Sequence, residues 1–225
     1  MIIAIDGGCK WQGTPNCLSV GVAVPFMNGT YDEPVFSIEF ENSSSQRGEI
    51  QGLISALEYY HKNKVYDTDE LGTLMIVTDS EYVLKTISFG WLEKWKANNW
   101  TNTTGVVSNV DLWEKVWHLV YEQLEPTDIT MQYVKGHLYK YSPAIFKRAM
   151  DDEGLQYAAD NLMSMISRPL EAEQVLKKVK DEIESRGHSV FNDTENLRRI
   201  LIGNVLADCL AGYAIDKLLK SGAIN

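Results

Sequence analysis

The chain has 225 residues, 44% of them hydrophobic and 23% charged, enough for one well-buried domain with an appendage, and it contains no apolar run long enough to cross a bilayer. Its formal net charge of -10 excludes generic affinity for nucleic acid through overall charge, because phosphate binding ordinarily leaves a basic footprint. The acid is unevenly placed: residues 1–137 hold 9 Lys+Arg against 18 Asp+Glu and residues 138–225 hold 12 against 13, so a polyanion would draw its attraction from the C-terminal part.

Met1 to Asp6, followed by Gly7-Gly8, is an apolar run stopped by a carboxylate, the pattern of a buried central strand that delivers Asp6 to a sheet edge. The run is too short for a signal peptide or an anchor, and Cys9, Cys17 and Cys209 form no CxxC pair. Together these features predict a cytoplasmic protein with unpaired thiols. Leu18, Val20, Val22 and Val24 alternate with small residues as a second strand, and Phe36, Ile38 and Phe40 alternate with Ser37 and Glu39 as a third. Asn28-Gly29 supplies the turn between them, which makes an antiparallel meander.

After the polar loop Ser43 to Gln46, Ile50, Leu53, Ile54 and Leu57 recur at helical spacing, with Glu49 expected in the first turn. Leu74 to Val77 is a fully apolar fourth strand ending in Thr78-Asp79-Ser80 ahead of another helix. Strand, helix, strand predicts a crossover to a parallel neighbour of the first strand, with Asp6 and Asp79 at adjacent carboxyl ends, where open α/β sheets place their sites. Trp91 and Trp95 share one face of a helix and read as packing groups, with Trp100 following. Ser108 to Asp111 has the form of a capping box opening a helix to about residue 123, and a fifth strand runs from Ile129 to Val134 into Lys135-Gly136-His137. The remainder carries helical periodicity over 145–166, 170–186 and 194–219.

Three carboxylates, Asp6, Glu49 and Asp79, thus converge at strand and helix ends. Crowded carboxylates repel and take up protons unless a multivalent cation neutralises them. Oxygen donors without Cys/His clusters point to magnesium or manganese, and two such ions roughly 3.5–4 Å apart are the arrangement that cleaves phosphodiesters. A fourth carboxylate would match the charge of two divalent ions, and Asp208 and Asp160 are the candidates.

The ordered pieces Ile5 to Gly8, Gln46 to Glu49, Thr78 to Val83, Trp91/Trp95/Trp100, Asn109 to Trp113, Tyr133 to His137 and Asn204 to Ala211 resemble ribonuclease H, type 1. The resemblance implies an α/β fold: a five-stranded mixed sheet flanked by helices, with residues 1–137 and 204–225 forming the catalytic domain; residues 138–203, helical in periodicity, stand between them as an insertion. It implies Asp6, Glu49, Asp79 and Asp208 as metal-binding catalytic carboxylates holding two Mg2+ ions, with Mn2+ the alternative, and His137 as an aid to proton transfer and product release. The Asn four residues before Asp208 and the Leu-Ala after it favour Asp208 over Asp160. Ser44 and Asn109 correspond to positions that touch the DNA strand, and Gln46 and Glu81 to positions that read RNA 2′-hydroxyls, the group that separates RNA from DNA. The implied partner is an RNA–DNA hybrid, bound by a monomer with no membrane attachment.

The resemblance has three departures. The Trp91–Trp100 segment, basic in the family, holds only Lys94 and Lys96 against Glu93; the loop after Gly8 is not glycine-rich; and 66 residues separate His137 from Asn204. The insertion, through Lys177, Lys178, Lys180, Arg198 and Arg199, is therefore expected to replace the protrusion in holding the substrate backbone. Two other readings stay open: a nuclease of this fold acting on another nucleic acid, and a non-cleaving hybrid- or partner-binding module.

Overall fold

The computed structural model describes residues 1–11, 17–40, 43–66, 72–136, 142–166 and 194–221, together with 174, 177, 180–181 and 184–185. Its centre is a mixed sheet. Strand β1 (Ile2–Trp11) pairs antiparallel with β2 (Cys17–Met27) from Ile2 opposite Phe26 to Trp11 opposite Cys17. On its other side β1 pairs parallel with β5 (Leu74–Thr78), and β5 pairs parallel with β8 (Ile129–Tyr133). The outer edge of β2 is shared by β3 (Thr30–Tyr31) and β4 (Val35–Glu39), so six strands occupy five positions, as the meander and crossover predict. Asn28 and Gly29, both at positive φ, form the tight turn into β3.

Side chains alternate between the two faces. Ile3 and Ile5 pack with Ile50, Leu53 and Leu57 of α1 (Ser45–Tyr66), whereas Ala4, Val22 and Val24 pack with Ile202, Leu206 and Leu210 of the C-terminal helix. On the first face follow α2 (Glu81–Ser88), α3 (Trp91–Ala97), a small hairpin of β6 (Thr101–Asn102) and β7 (Gly105–Val106), and α4 (Val110–Trp117), which continues as a wider π-type turn to Gln123. On the second lie α5 (Pro143–Asp152), α6 (Leu155–Ile166) and the C-terminal helix, here α7 (Thr194–Lys220). Phe146, Ala149, Ala158 and Leu162 of α5 and α6 share one core with Ala4 and Val134 of the sheet, so these two helices of the inserted stretch belong to the same hydrophobic body.

Several local expectations are corrected. Strand β1 does not stop at Asp6 but continues to Trp11, because β2 is long enough to pair with all of it. The expected 145–166 helix is broken at Gly154, which takes φ +84. Asn109 precedes α4 at φ 59 without a side-chain capping bond, so the capping box does not form. Glu49 falls in the second turn of α1, since that helix begins at Ser45. In β4 the polar residues face inward, Ser37 against Ser55 and Glu39 against Arg47, and Phe36, Ile38 and Phe40 are exposed.

Candidate active site

Glycines bring the first two carboxylates together. A Cβ on Gly7 would lie 2.1 Å from the backbone nitrogen of Glu49, so α1 rests directly on β1 only because position 7 has no side chain. That contact holds Glu49 beside Asp6. The parallel ladder between β1 and β5 ends at Ala4 opposite Val77, and both chains run on by two residues to Asp6 and Asp79. Helix α7 then crosses the other face of β1. A Cβ on Gly203 would lie 3.0 Å from that of Ala4, and one on Gly8 2.7 Å from Ile215 Cδ1, and between those contacts Asp208 reaches the same place.

Electrostatics register the convergence. The Asp6 carboxyl is pushed well above the ordinary range, first by burial and then by the negative charges of Asp79, Asp208 and Glu49, although the Gly7 N–H donates to its Oδ1 at 2.7 Å. Burial also raises Glu49, with Asp79 adding to the rise. It is opposed by the Ser80 hydroxyl, which donates to Glu49 Oε2 at 2.5 Å. The thiol of Cys209 is pushed up to about 12 by burial and by the nearby carboxylates of Asp208 and Asp6. Asp79 is turned onto the strand leaving β8, where a Cβ on Gly136 would come 2.1 Å from its Oδ2.

Four acids from β1, α1, the end of β5 and α7 therefore share one locality. Among the described residues no three His, Cys, Asp or Glu side chains stand close enough to enclose an ion in this conformation. The donor set nonetheless fits a hard divalent cation: it is all carboxylate, half-buried, and Asp6 bears a repulsion that a cation would remove. Asp160, the rival fourth acid, sits exposed on α6 and accepts a bond from Gln156 at 2.9 Å.

Around the carboxylates, Ser44 caps α1 by accepting from the Arg47 N–H at 3.2 Å, and Gln46 is exposed in the first turn of that helix. Glu81 opens α2 and pairs with Lys85 at 2.7 Å, and Asn109 follows Ser108, whose carbonyl accepts from the Tyr82 hydroxyl at 3.3 Å. His137 lies outside the described residues.

The basic groups assigned to substrate holding are elsewhere. Arg198 and Arg199 stand at the start of α7, paired with Glu195 at 3.9 and 3.4 Å, and Arg199 lies over Phe26. That is nine residues, about 14 Å of helix, before Asp208. Lys180 pairs with Glu184 at 3.8 Å, Lys177 is exposed, and Lys178 lies outside the described residues.

Two features escaped the sequence reading. Arg47 bridges Glu39 and Asp111 with four hydrogen bonds of 2.6–2.9 Å, tying β4, α1 and α4 together beside Asn109. Its position next to Gly48-Glu49 was the only signal. Cys9 and Cys17 form a disulfide across the β1–β2 hairpin, which overturns the expectation of unpaired thiols and removes the cysteine argument for a reducing compartment. Their separation of eight residues contains no sequence motif; the strand register brings them together.

Comparison with known proteins agrees with this architecture. The RNase H family model matches residues 1–142. Ribonuclease HI of Synechocystis sp. is 32% identical over 133 residues, covering 59% of this chain and 73% of that protein. Ribonuclease H of Ruthia magnifica subsp. Calyptogena magnifica is 32% identical over 138 residues, and that of Cupriavidus pinatubonensis 35% over 138, each covering 61% of this chain and 83% of the relative. The model match spans more than half of the chain, from the strand that carries Asp6 to residue 142, and on that ground, together with the sheet order, the chain belongs to the RNase H family.

Proposed function

We infer that this protein is an endoribonuclease that hydrolyses the RNA strand of RNA–DNA hybrids, with two magnesium ions as cofactor, leaving a 3′-hydroxyl and a 5′-phosphate. The observation that carries the reading is the convergence of four carboxylates from β1, α1, the end of β5 and α7, made possible by the close contacts at Gly7 and Gly203. Asp6, Glu49, Asp79 and Asp208 would hold the ions. When bound, divalent cations supply a hydroxide nucleophile near neutral pH and neutralise charge on the scissile phosphate. The chain's own residues fix the frame. Ser80 orients Glu49 through its hydroxyl, and the backbone at Gly136 limits where the Asp79 carboxylate can turn. Gln46 and Glu81, at the first turns of α1 and α2, would read 2′-hydroxyls, and Ser44 and Asn109 would meet the DNA strand. His137 is assigned proton transfer and product release. Among the described residues no helix is long and apolar enough to cross a membrane. We take the working form to be a monomer.

The test uses a labelled hybrid with magnesium, beside each single strand, duplex DNA and duplex RNA. Cleavage confined to the hybrid and absent in Asp79→Asn is the expected result. Cleavage of a different nucleic acid replaces the substrate, and tight hybrid binding without cleavage by the wild type replaces the enzyme with a binding module.

A further inference from the structure

We propose that Lys10, Lys147, Lys217 and Lys220 form a basic ledge beside the carboxylates that receives the phosphodiester backbone of the substrate several nucleotides from the scissile bond. This rests on the nuclease reading above and names a contact surface for it.

Three elements bring these lysines together. Along β1, Lys10 is four residues past Asp6, about 13 Å of strand. Along α7, Lys217 and Lys220 are nine and twelve residues past Asp208, about 14–18 Å of helix. The third element is α5, on which Lys147 stands four residues before Asp151, whose Oδ1 accepts a hydrogen bond from the Tyr213 hydroxyl of α7 at 2.6 Å. Lys10 closes the frame by meeting Asp216 of α7 at 3.9 Å, and Lys217 reaches the Tyr213 hydroxyl at 3.3 Å.

At about 3.4 Å of rise per nucleotide on one strand, these separations correspond to roughly four or five nucleotides. That lies within the footprint of a short hybrid seated on Asp6.

A plainer reading is that Lys217 and Lys220 merely complement the dipole at the end of α7. It does not account for Lys147 or Lys10, which come from other elements. Asp151 and Asp216 stand among the lysines, so the ledge carries four positive charges against two negative ones, on a chain whose net charge is -10.

The protrusion offers little attraction, because its Lys94 and Lys96 stand with Glu93, and Lys96 lies 5.6 Å from the ring centres of both Trp100 and Trp117. A backbone contact at the ledge is where that attraction can be recovered.

The experiment measures binding of the full chain to labelled hybrid and duplex DNA, with calcium in place of magnesium to prevent turnover, across a salt series. The Lys147→Glu/Lys220→Glu variant is expected to bind hybrid about tenfold more weakly at 0.1 M salt, with the slope of log Kd against log salt reduced by about 1–2. Lys62→Glu, on the exposed face of α1, should leave both unchanged, and melting curves establish that every variant is folded. Unchanged affinity and slope in the double variant overturn the ledge, as does an equal loss in Lys62→Glu. Wild type that prefers duplex DNA overturns the hybrid reading but keeps the ledge if the slope on duplex falls in the double variant. Binding of neither polymer overturns both.

Discussion

Gly136 and Asp79 occupy one space: a Cβ at position 136 would lie 2.1 Å from Asp79 Oδ2 and 3.2 Å from its Cγ. The obstructing atoms are the end of a short side chain, so Gly136→Ala can be accommodated if Asp79 rotates away. Stability should change by less than about 1 kcal/mol, whereas a carboxylate displaced by about 1 Å can lower kcat on the order of 100-fold. Melting temperature and single-turnover cleavage, measured together, test this. Full activity in the alanine variant would show that the Asp79 position seen here is not the working one.

Asp6 and Glu49 make the metal-free fold less stable as pH rises. Both are raised above their ordinary range, mainly by burial. In the unfolded chain they lose their protons near pH 4, so the penalty is absent below that value and grows as pH climbs through the folded pKa. Asp6→Asn retains an acceptor for the Gly7 N–H and removes the charge. With EDTA at pH 8 it should melt higher than wild type by about 2–4 °C for each kcal/mol relieved, and at pH 3 the two should coincide. A lower melting temperature for the variant at pH 8 would refute the shared cluster.

The backbone plan was readable because burial writes itself into sequence periodicity. Leu74 to Val77 could only be a strand covered on both faces; Leu18 to Val24 was legible as a strand, but the expected exposed face is covered, and β2 is buried on both sides. What could not be read depends on register and on close approach between distant segments. Nothing near Cys9 or Cys17 announces their pairing, which follows from ten residues of antiparallel register. The inward turn of Ser37 and Glu39 in β4 reverses the hydrophobic rule, because α1 offers Ser55 and Arg47 as partners there. The carboxylates were found as residue types at strand ends, but their convergence depends on Gly7 and Gly203, whose role is to be absent as side chains.

Ser80 joins the carboxylate site to a helix end. Its hydroxyl donates to Glu49 and accepts from the Val83 N–H at 3.3 Å, capping α2. Ser80→Ala should cost about 1 kcal/mol through the lost cap. It should also raise the Glu49 pKa, because the serine bond is what opposes burial there. The acid limb of the pH–rate profile then moves to higher pH. A melting shift with no movement of that limb would confine Ser80 to a capping role.

Reduction of Cys9–Cys17 should loosen the end of the hairpin that carries Asp6. A disulfide closing a loop this short stabilises by about 2–3 kcal/mol, chiefly by restricting the unfolded chain. Wild type should therefore melt several degrees lower with reductant, and Cys9→Ser should melt at that lower temperature with or without it. Identical melting of oxidised and reduced wild type, with thiol titration confirming each state, would show that the bridge contributes nothing.

Arg47 contributes stability with the opposite pH dependence from Asp6. It donates two hydrogen bonds to Glu39 and two to Asp111, and holds both carboxyls below their ordinary range through those bonds. Asp111 is 58% exposed, so solvent screens its share, and a loss of about 1–2 kcal/mol is expected for Arg47→Lys. Lysine keeps the charge but is a point donor that cannot span two carboxylates on opposite sides. Because the folded carboxyls are depressed, their contribution is complete above the unfolded pKa near 4 and is lost as pH falls through the folded values. The melting difference between wild type and Arg47→Lys should be full at pH 6 and shrink towards zero near pH 2. Asp111 is also two residues from Asn109, so the same variant should weaken hybrid binding while leaving the Asp6 cluster in place. A melting difference independent of pH would mean that Arg47 acts by packing and not through its ion pairs.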